Sequence, residues 1–233
     1  LYANIDRWTE TEHYYIQHIN NDIAKMVEKQ ANGCWHINKR ALNEPAGNTH
    51  LFLFEILSGY GFNPQIIRQI DDSINETSGR QFFSKTHRLI NDRDVFILEE
   101  IIEKQQDNAY LIELDCIEIT NPIHLDFKKR KKEKNFVLNK NKNTAQLDLS
   151  KLTFPLEIRK WQNGDSFVPF GMTQRQKISD FLINNKLSIP DKERVWLLLS
   201  GNEIAWIVGM RIDNRFCIDE NTQDVLAITV LSE

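Results

Sequence analysis

At 233 residues, 41% hydrophobic and 27% charged, the chain is long enough for one large domain or two ordinary ones, and five Trp with 13 Phe supply apolar surface for a core in each. That composition excludes a disordered or fibrous chain, and no run approaches the ~18 apolar residues of a membrane span. The net charge of -4 is unevenly spread: residues 128–142 hold eight Lys or Arg against one acid, residues 1–127 hold 11 against 20, and residues 143–233 hold 10 against 12.

The opening residues lack the basic-then-apolar pattern of a signal peptide, so a cytoplasmic, non-membrane protein is expected. Cys34, Cys116 and Cys217 are odd in number and far apart, which fits inert thiols in a reducing compartment. The first residue is Leu rather than Met, which fits a piece of a longer protein.

In chain order, Thr9-Glu10-Thr11-Glu12 reads as a capping box opening a helix to about Gln30, with Tyr15, Ile19, Ile23, Met26 and Val27 on one face and Asn32-Gly33 as its stop. A second helix is predicted from Asn48-Thr49 to Leu57, halted by Ser58-Gly59-Tyr60-Gly61. A third starts at Asn63-Pro64 and turns Ile66, Ile67, Ile70 and Ile74 inward. The pattern then becomes β-rich: Gln81–Ser84 and Val95–Leu98 read as strands, with Asn91–Asp94 as a turn, and Tyr110–Leu114, Cys116–Thr120 and Phe136–Asn139 are further strand candidates.

From Leu152 a separate unit is predicted. Leu156–Arg159 alternates as a strand, Asn163-Gly164-Asp165 is a turn, and Thr173–Gln176 is a second capping box, opening a helix to about Asn185 that buries Ile178, Phe181 and Leu182. Val195–Leu199 and Ile204–Val208 form a hairpin around Ser200–Glu203, and Val225–Val230 closes the chain as a strand. The fold class is α+β: a middle block over 1–126, helical then β, a basic linker over 127–151, and a small α+β C-terminal domain over 152–233.

Catalytic signatures are missing. No glycine-rich loop can cradle a phosphate, since Tyr60 and Phe62 make Ser58–Gly61 bulky, and no G-x-S-x-G, H-E-x-x-H or Walker lysine occurs. His13 and His18 lie five residues apart on one helix, which is not the spacing of a metal pair. His87 reads as a surface strand residue, and Glu99, Glu100 and Glu103 as a solvated face. No catalytic residue, metal ligand or cofactor is assigned to this chain.

The last unit carries Arg159-Lys160-Trp161-Gln162-Asn163-Gly164-Asp165-Ser166-Phe167, then Pro169-Phe170-Gly171-Met172, then Lys177-Ile178-Ser179-Asp180-Phe181, then Trp206-Ile207-Val208-Gly209-Met210-Arg211-Ile212-Asp213-Asn214-Arg215-Phe216. In order and spacing this resembles the C-terminal domain of bacterial tRNA(Ile)-lysidine synthases, with its R-x-W-x-x-G-D-x-F-x-P-x-G-M, K-x-S-D and W-x-x-G-x-R-I-D-x-R-F strings. Tyr60-Gly61-Phe62 and the stretch from Ser78-Gly79-Arg80 to Thr86-His87-Arg88-Leu89 resemble the middle domain of the same family.

The resemblance implies an ATP-dependent ligase that adenylates the wobble cytidine of a minor isoleucine tRNA and attaches lysine, changing codon reading from AUG to AUA. ATP, with Mg, and lysine are the expected cofactor and substrates of the full enzyme. The family's catalytic domain, of ATP-pyrophosphatase type, carries an S-G-G-x-D-S loop that this sequence lacks, so the chain is expected to be inactive alone and to hold the tRNA-contacting part. One local departure is Val195-Trp196 after Arg194, where many relatives have proline.

On a tRNA surface the candidate phosphate-binding cations are Lys128, Lys129, Arg130, Lys131, Lys132 and Lys134 of the basic run, together with Arg159, Lys177, Arg211 and Arg215. Trp161 and Phe181 are stacking candidates whose plainer role is core packing. Asp165 suits a turn, Asp180 and Asp213 suit ion pairs or caps, and Gly164, Gly171 and Gly209 suit backbone geometry. The rival reading is a non-enzymatic interaction module with a homodimer as its assembly. A hydrolase with a dispersed site is the third.

Overall fold

The computed structural model describes residues 2–43, 48–101, 109–133 and 136–231, with side chains from residue 11 onward. The chain divides into two units, Leu1–Glu103 and Lys104–Glu233.

Unit 1 opens with helix α1 (Tyr2–Met26), which turns Ile19, Ile23 and Met26 into the core. Thr9 therefore lies inside the helix rather than at its start, because residues 2–8 contain neither Gly nor Pro to prevent earlier turns from forming. The helix also ends before Gln30: Val27–Lys29 are captured as strand β1, paired antiparallel with β2 (Trp35–Asn38). Short α2 (Lys39–Asn43), α3 (Thr49–Ser58) and α4 (Pro64–Asp72) follow. Asn63 caps α4 as its sequence predicts, its Oδ1 accepting the Ile66 amide at 2.9 Å.

Strands β3 (Gln81–Phe83), β4 (His87–Asn91) and β5 (Val95–Glu100) complete an antiparallel sheet of order β1-β2-β5-β4-β3. Period-2 alternation sends Ile37, Phe82, Leu89, Phe96 and Leu98 to one face, where they pack on Phe52, Leu53, Leu57, Ile67 and Ile70 of the helices. Unit 1 is thus helices on one side of a meandering sheet, in agreement with the α+β expectation.

Unit 2 contains β6 (Tyr110–Ile112), β7 (Glu118–Ile119), β8 (Leu125–Lys131), β9 (Thr144–Asp148) and β10 (Leu156–Lys160). These are followed by β11 (Ser166–Phe167), β12 (Gln176–Lys177), α5 (Ile178–Asn184), α6 (Ile189–Glu193), β13 (Trp196–Ser200), β14 (Glu203–Ile207), β15 (Arg211–Ile212) and β16 (Asp224–Val230). A five-stranded sheet, β15-β14-β13-β10-β6, is the middle layer. One of its faces packs Leu156, Ile158, Leu198 and Trp206 against Leu125, Phe127, Leu147, Leu226 and Ile228 of a four-stranded sheet, β7-β8-β16-β9. The other packs Leu197, Leu199 and Ile207 against Ile178 and Leu182 of α5.

Three sequence expectations change here. The described residues of 127–151 are not a linker: β8 and β9 flank β16 on its two sides, and the boundary between units falls at 103/104 rather than near 126. The cause is the apolar Val225–Ile228 run, buried throughout, whose backbone groups must all be paired. Its partners, Leu125–Lys131 and Thr144–Asp148, lie far upstream, where no local pattern announces them. Phe136–Asn139 finds no strand partner among the described residues, and its Asn139 amide goes instead to the Gln146 side chain at 2.7 Å. The capping box at Thr173 opens no helix, since Gln176 and Lys177 pair with Phe167 and Ser166 and α5 begins only at Ile178. Ser188 in turn caps the short α6, which leads through Arg194 and Val195 into β13.

Candidate nucleic-acid interface

The first four cations of the basic run lie on β8. Leu125 and Phe127 anchor the strand in the core, and Lys128, Lys129, Arg130 and Lys131 continue it as four exposed residues. Strand β7 pairs with β8 only at Leu125 and Asp126, so residues 128–131 have β16 on one side and, among the described residues, no strand on the other. Strand alternation sends Lys128 and Arg130 to the face of Asp126, and Lys129 and Lys131 to the opposite face. Lys128 Nζ lies 2.7 Å from Asp126 Oδ2, with 58% of the Lys128 side chain still exposed.

Lys132 differs from its neighbours: its Nζ donates to the Asp219 carbonyl at 2.6 Å and its amide to Gln223 O at 2.7 Å. It fastens β8 to the loop before β16. That loop is held in turn by Asp148, 2% exposed, which accepts from Thr222 Oγ1 and Ser150 Oγ at 2.7 Å each. Burial pushes the Asp148 carboxyl up, but these hydrogen bonds and the Lys151 ammonium outweigh it and hold it below the usual carboxylate range. Lys134 lies outside the described residues.

The motif arginines are placed otherwise. Arg159 donates a two-pronged pair to Asp165, Nη1 to Oδ2 and Nη2 to Oδ1 at 2.8 Å each, and Nη1 also reaches Lys160 O at 2.9 Å. The Gly164 turn, φ +96°, brings the two residues together. The hydrogen bond to Asp165 raises the Arg159 pKa despite burial. Burial pushes the Asp165 carboxyl up, but the hydrogen bonds from Arg159 and the Gln162 amide, with the Arg159 charge, outweigh it and hold the group low.

Arg215 grips Asp213 the same way, Nε to Oδ1 at 2.9 Å and Nη2 to Oδ2 at 2.7 Å, while Nη1 meets Glu203 Oε2 at 2.6 Å. The other Glu203 oxygen takes Arg175 Nη2 at 2.6 Å. Asp213 is fully buried and also accepts the amides of Val168 and Arg215 at 2.8 Å each. Arg159 and Arg215 thus each have the guanidinium engaged by a carboxylate. Only Lys177 and Arg211 among the motif cations are exposed, and Arg211 donates to the Phe170 carbonyl at 2.7 Å.

Trp161 and Phe181 take the packing role. Trp161 donates Nε1–H to Lys192 O at 2.7 Å, Phe181 stands edge-on to Phe167 with centroids 5.2 Å apart, and both line the α5 side of the core. Asp180 sits exposed in the first turn of α5 beside Ser179 Oγ at 3.4 Å. Gly209, at positive φ, turns the chain between β14 and β15.

Sequence reasoning missed the polar locks of unit 1. Lys39 is 7% exposed and donates to Asn91 Oδ1 and to the carbonyls of Asp92 and Arg93, at 2.6 and 3.2 Å. Burial lowers its pKa against the pull of Asp92 and Asp94. Glu99 is not on a solvated face: it is 8% exposed, paired with Arg88 at 2.6 Å and accepting from Cys34 Sγ at 3.1 Å. Glu100 is exposed, and Glu103 lies outside the described residues. His87 opens β4 with its ring edge-on to Tyr60 at 4.9 Å. A buried pair joining residues so far apart in sequence leaves no local signal.

No group of three or more His, Cys, Asp or Glu among the described residues is placed to hold a metal, and no helix among them is long and apolar enough to cross a membrane. Among the described residues the arrangement offers exposed cations to a polyanion.

Two family models match the chain: the TilS substrate binding domain over residues 28–101 and the TilS substrate C-terminal domain over residues 156–228. The first falls within unit 1 and the second within unit 2. The tRNA(Ile)-lysidine synthase of Parabacteroides distasonis is 42% identical over 187 residues, 80% of this chain and 42% of that protein. That of Bacteroides thetaiotaomicron is 42% identical over 190 residues, 82% of this chain and 41% of that protein. The chain thus spans about two fifths of the length of these relatives. A solved structure described as the crystal structure of the TilS C-terminal domain overlaps 54% of this chain and all of its own, with a TM-score of 0.45 and 15% identity.

Proposed function

Because the chain belongs to the tRNA(Ile)-lysidine synthase family, we propose that its two units are the tRNA-holding part of an enzyme that uses ATP, with Mg, to join lysine to the wobble cytidine of a minor isoleucine tRNA. The observation that carries this reading is the match of a separate family model to each unit, together with 42% identity to synthases over four fifths of the chain. No residue of this chain takes a catalytic role in it, and the setting is the cytoplasm.

Within this reading β8 is the affinity element. Exposed Lys and Arg on phosphates supply binding without sequence choice, and each contact steepens the salt dependence by about 0.7–0.9 in log–log slope. The test is fluorescence anisotropy of the 233-residue chain with the minor isoleucine tRNA and with initiator methionine tRNA across a salt series. Tighter binding to the isoleucine tRNA that weakens as salt rises is the expected result. Absence of binding to either tRNA overturns the reading.

A further inference from the structure

The Pro169–Met172 turn is more firmly braced than its position on the surface requires. Met172 N donates to Pro169 O at 2.8 Å, closing a tight turn with Gly171 at φ +85°, a conformation L side chains rarely adopt. The segment 211–214 then holds the turn from beneath. Phe170 N donates to Ile212 O at 3.1 Å, Arg211 Nη2 to Phe170 O at 2.7 Å, and Gly171 N to Asn214 Oδ1 at 2.9 Å. A bridge between Pro169 and Asp213 completes the contact.

The side chains this brace presents face outward: Phe170 is 37% exposed and Met172 53%. Phe170 belongs to none of the core clusters among the described residues, whereas Phe167, on the same segment, is fully buried. Arg211, whose guanidinium fixes the Phe170 carbonyl, is itself exposed and has no carboxylate in ion-pair range among the described residues. An aromatic ring on a rigid turn, next to an unneutralised guanidinium, combines a stacking surface with a phosphate donor at little cost in ordering.

Resting on the tRNA-holding reading above, we propose that Phe170, with Met172 beside it, is a stacking platform for the exposed face of a base at the end of an RNA helix, and that Arg211 takes the adjoining phosphate. Two sources offer that face: the last base pair of a stem, or an unpaired nucleotide beyond it. An RNA end fits better than duplex interior, whose base faces are covered by their neighbours. Stacking on aromatics is tolerant of sequence, so the platform sets where along a helix the protein stops rather than which bases it reads.

The experiment uses the 233-residue chain, the minor isoleucine tRNA carrying 2-aminopurine at its 3′ end, and the same tRNA trimmed to its terminal base pair. Phe170→Ala is expected to weaken binding roughly tenfold, to leave the salt slope unchanged and to relieve the quenching of 2-aminopurine, with Phe170→Trp restoring the affinity and the quenching. Met172→Ala is the second variant, with a smaller loss of the same kind, and circular dichroism verifies the fold of each. A penalty confined to the untrimmed tRNA identifies the unpaired nucleotide, and a penalty on both identifies the terminal pair. Wild-type affinity and quenching in folded Phe170→Ala overturn the platform while leaving tRNA binding intact. Failure of the wild-type chain to bind tRNA overturns both readings.

Discussion

The cations of β8 and the arginines of the C-terminal motif carry the same charge and differ in what faces them. Arg159 and Arg215 each meet a carboxylate in a two-pronged pair, with side chains 17% and 31% exposed, whereas Lys128–Lys131 extend from a sheet edge into solvent. Arg159 and Arg215 are thus engaged within the fold of unit 2, whereas the less patterned run Lys128–Lys131 stays exposed, as do Lys177 and Arg211 of the motif. A guanidinium whose donors are satisfied by Asp213 and Glu203 gains little from a phosphate, since the pair must first be broken.

The largest effect that can break this comparison is expected at β8. Replacing Lys128, Lys129, Arg130 and Lys131 by Gln should weaken tRNA binding roughly a hundredfold at low salt and flatten the log–log salt slope by about 3, with thermal stability unchanged. Anisotropy and a thermal melt together check it. A rival is built into the same geometry, because lysines on an open strand edge also prevent edge-to-edge pairing. Under that rival the neutralised chain self-associates in light scattering while the affinity of its remaining monomer for tRNA stays the same.

On the fold rather than on binding, the largest effect is expected for Asp213→Ala, which removes the acceptor of the Val168 amide and leaves Arg215 half-buried without its main partner. A loss of about 3–5 kcal/mol in the stability of unit 2 is expected, read by urea unfolding. If Arg215→Gln instead weakened tRNA binding while leaving stability intact, the distinction between clamp and contact would fail.

Asp165→Asn sharpens the clamp side. Its expected cost is about 2 kcal/mol at neutral pH, since one charged fork to Arg159 is weakened. Asp148, Asp165 and Glu203 all have carboxyl pKa values below their ordinary range in the fold. Such groups stabilise the folded state above the unfolded carboxylate pKa of about 4, and that stability is lost as pH falls through their lower folded values. Wild type should accordingly lose stability below about pH 4, and Asp165→Asn should lose less of it over that window, as followed by urea unfolding at several pH values.

The smallest effect is expected at Lys177, exposed on β12. Lys177→Gln should lower tRNA affinity only a few-fold and the salt slope by about 1, with no change in melting. A drop in melting temperature would place Lys177 with the clamps instead.

Much of this protein was legible from local pattern. The Asn63-Pro64 helix start, the hairpin around Gly201, the Gly164 turn and the inward face of Ile178 and Leu182 all follow from residues within one or two turns of each other. The motif strings likewise pointed to the family, because their order is carried by the chain itself. Charge was equally plain: the one basic block among acidic neighbours was the feature most open to a polyanion, and its Lys128–Lys131 part is exposed in the fold.

Tertiary structure alone decided that this block is a strand rather than a linker, because β16 needs partners on both sides and only the folded sheet brings Leu125–Lys131 to it. It also decided which cations are occupied. Whether Arg215 is a contact or a clamp depends on Glu203, twelve residues away, and on the buried Asp213. Local sequence determines a side chain's charge and reach, but its partner is set by which backbone segments the cores bring within a few ångströms of it.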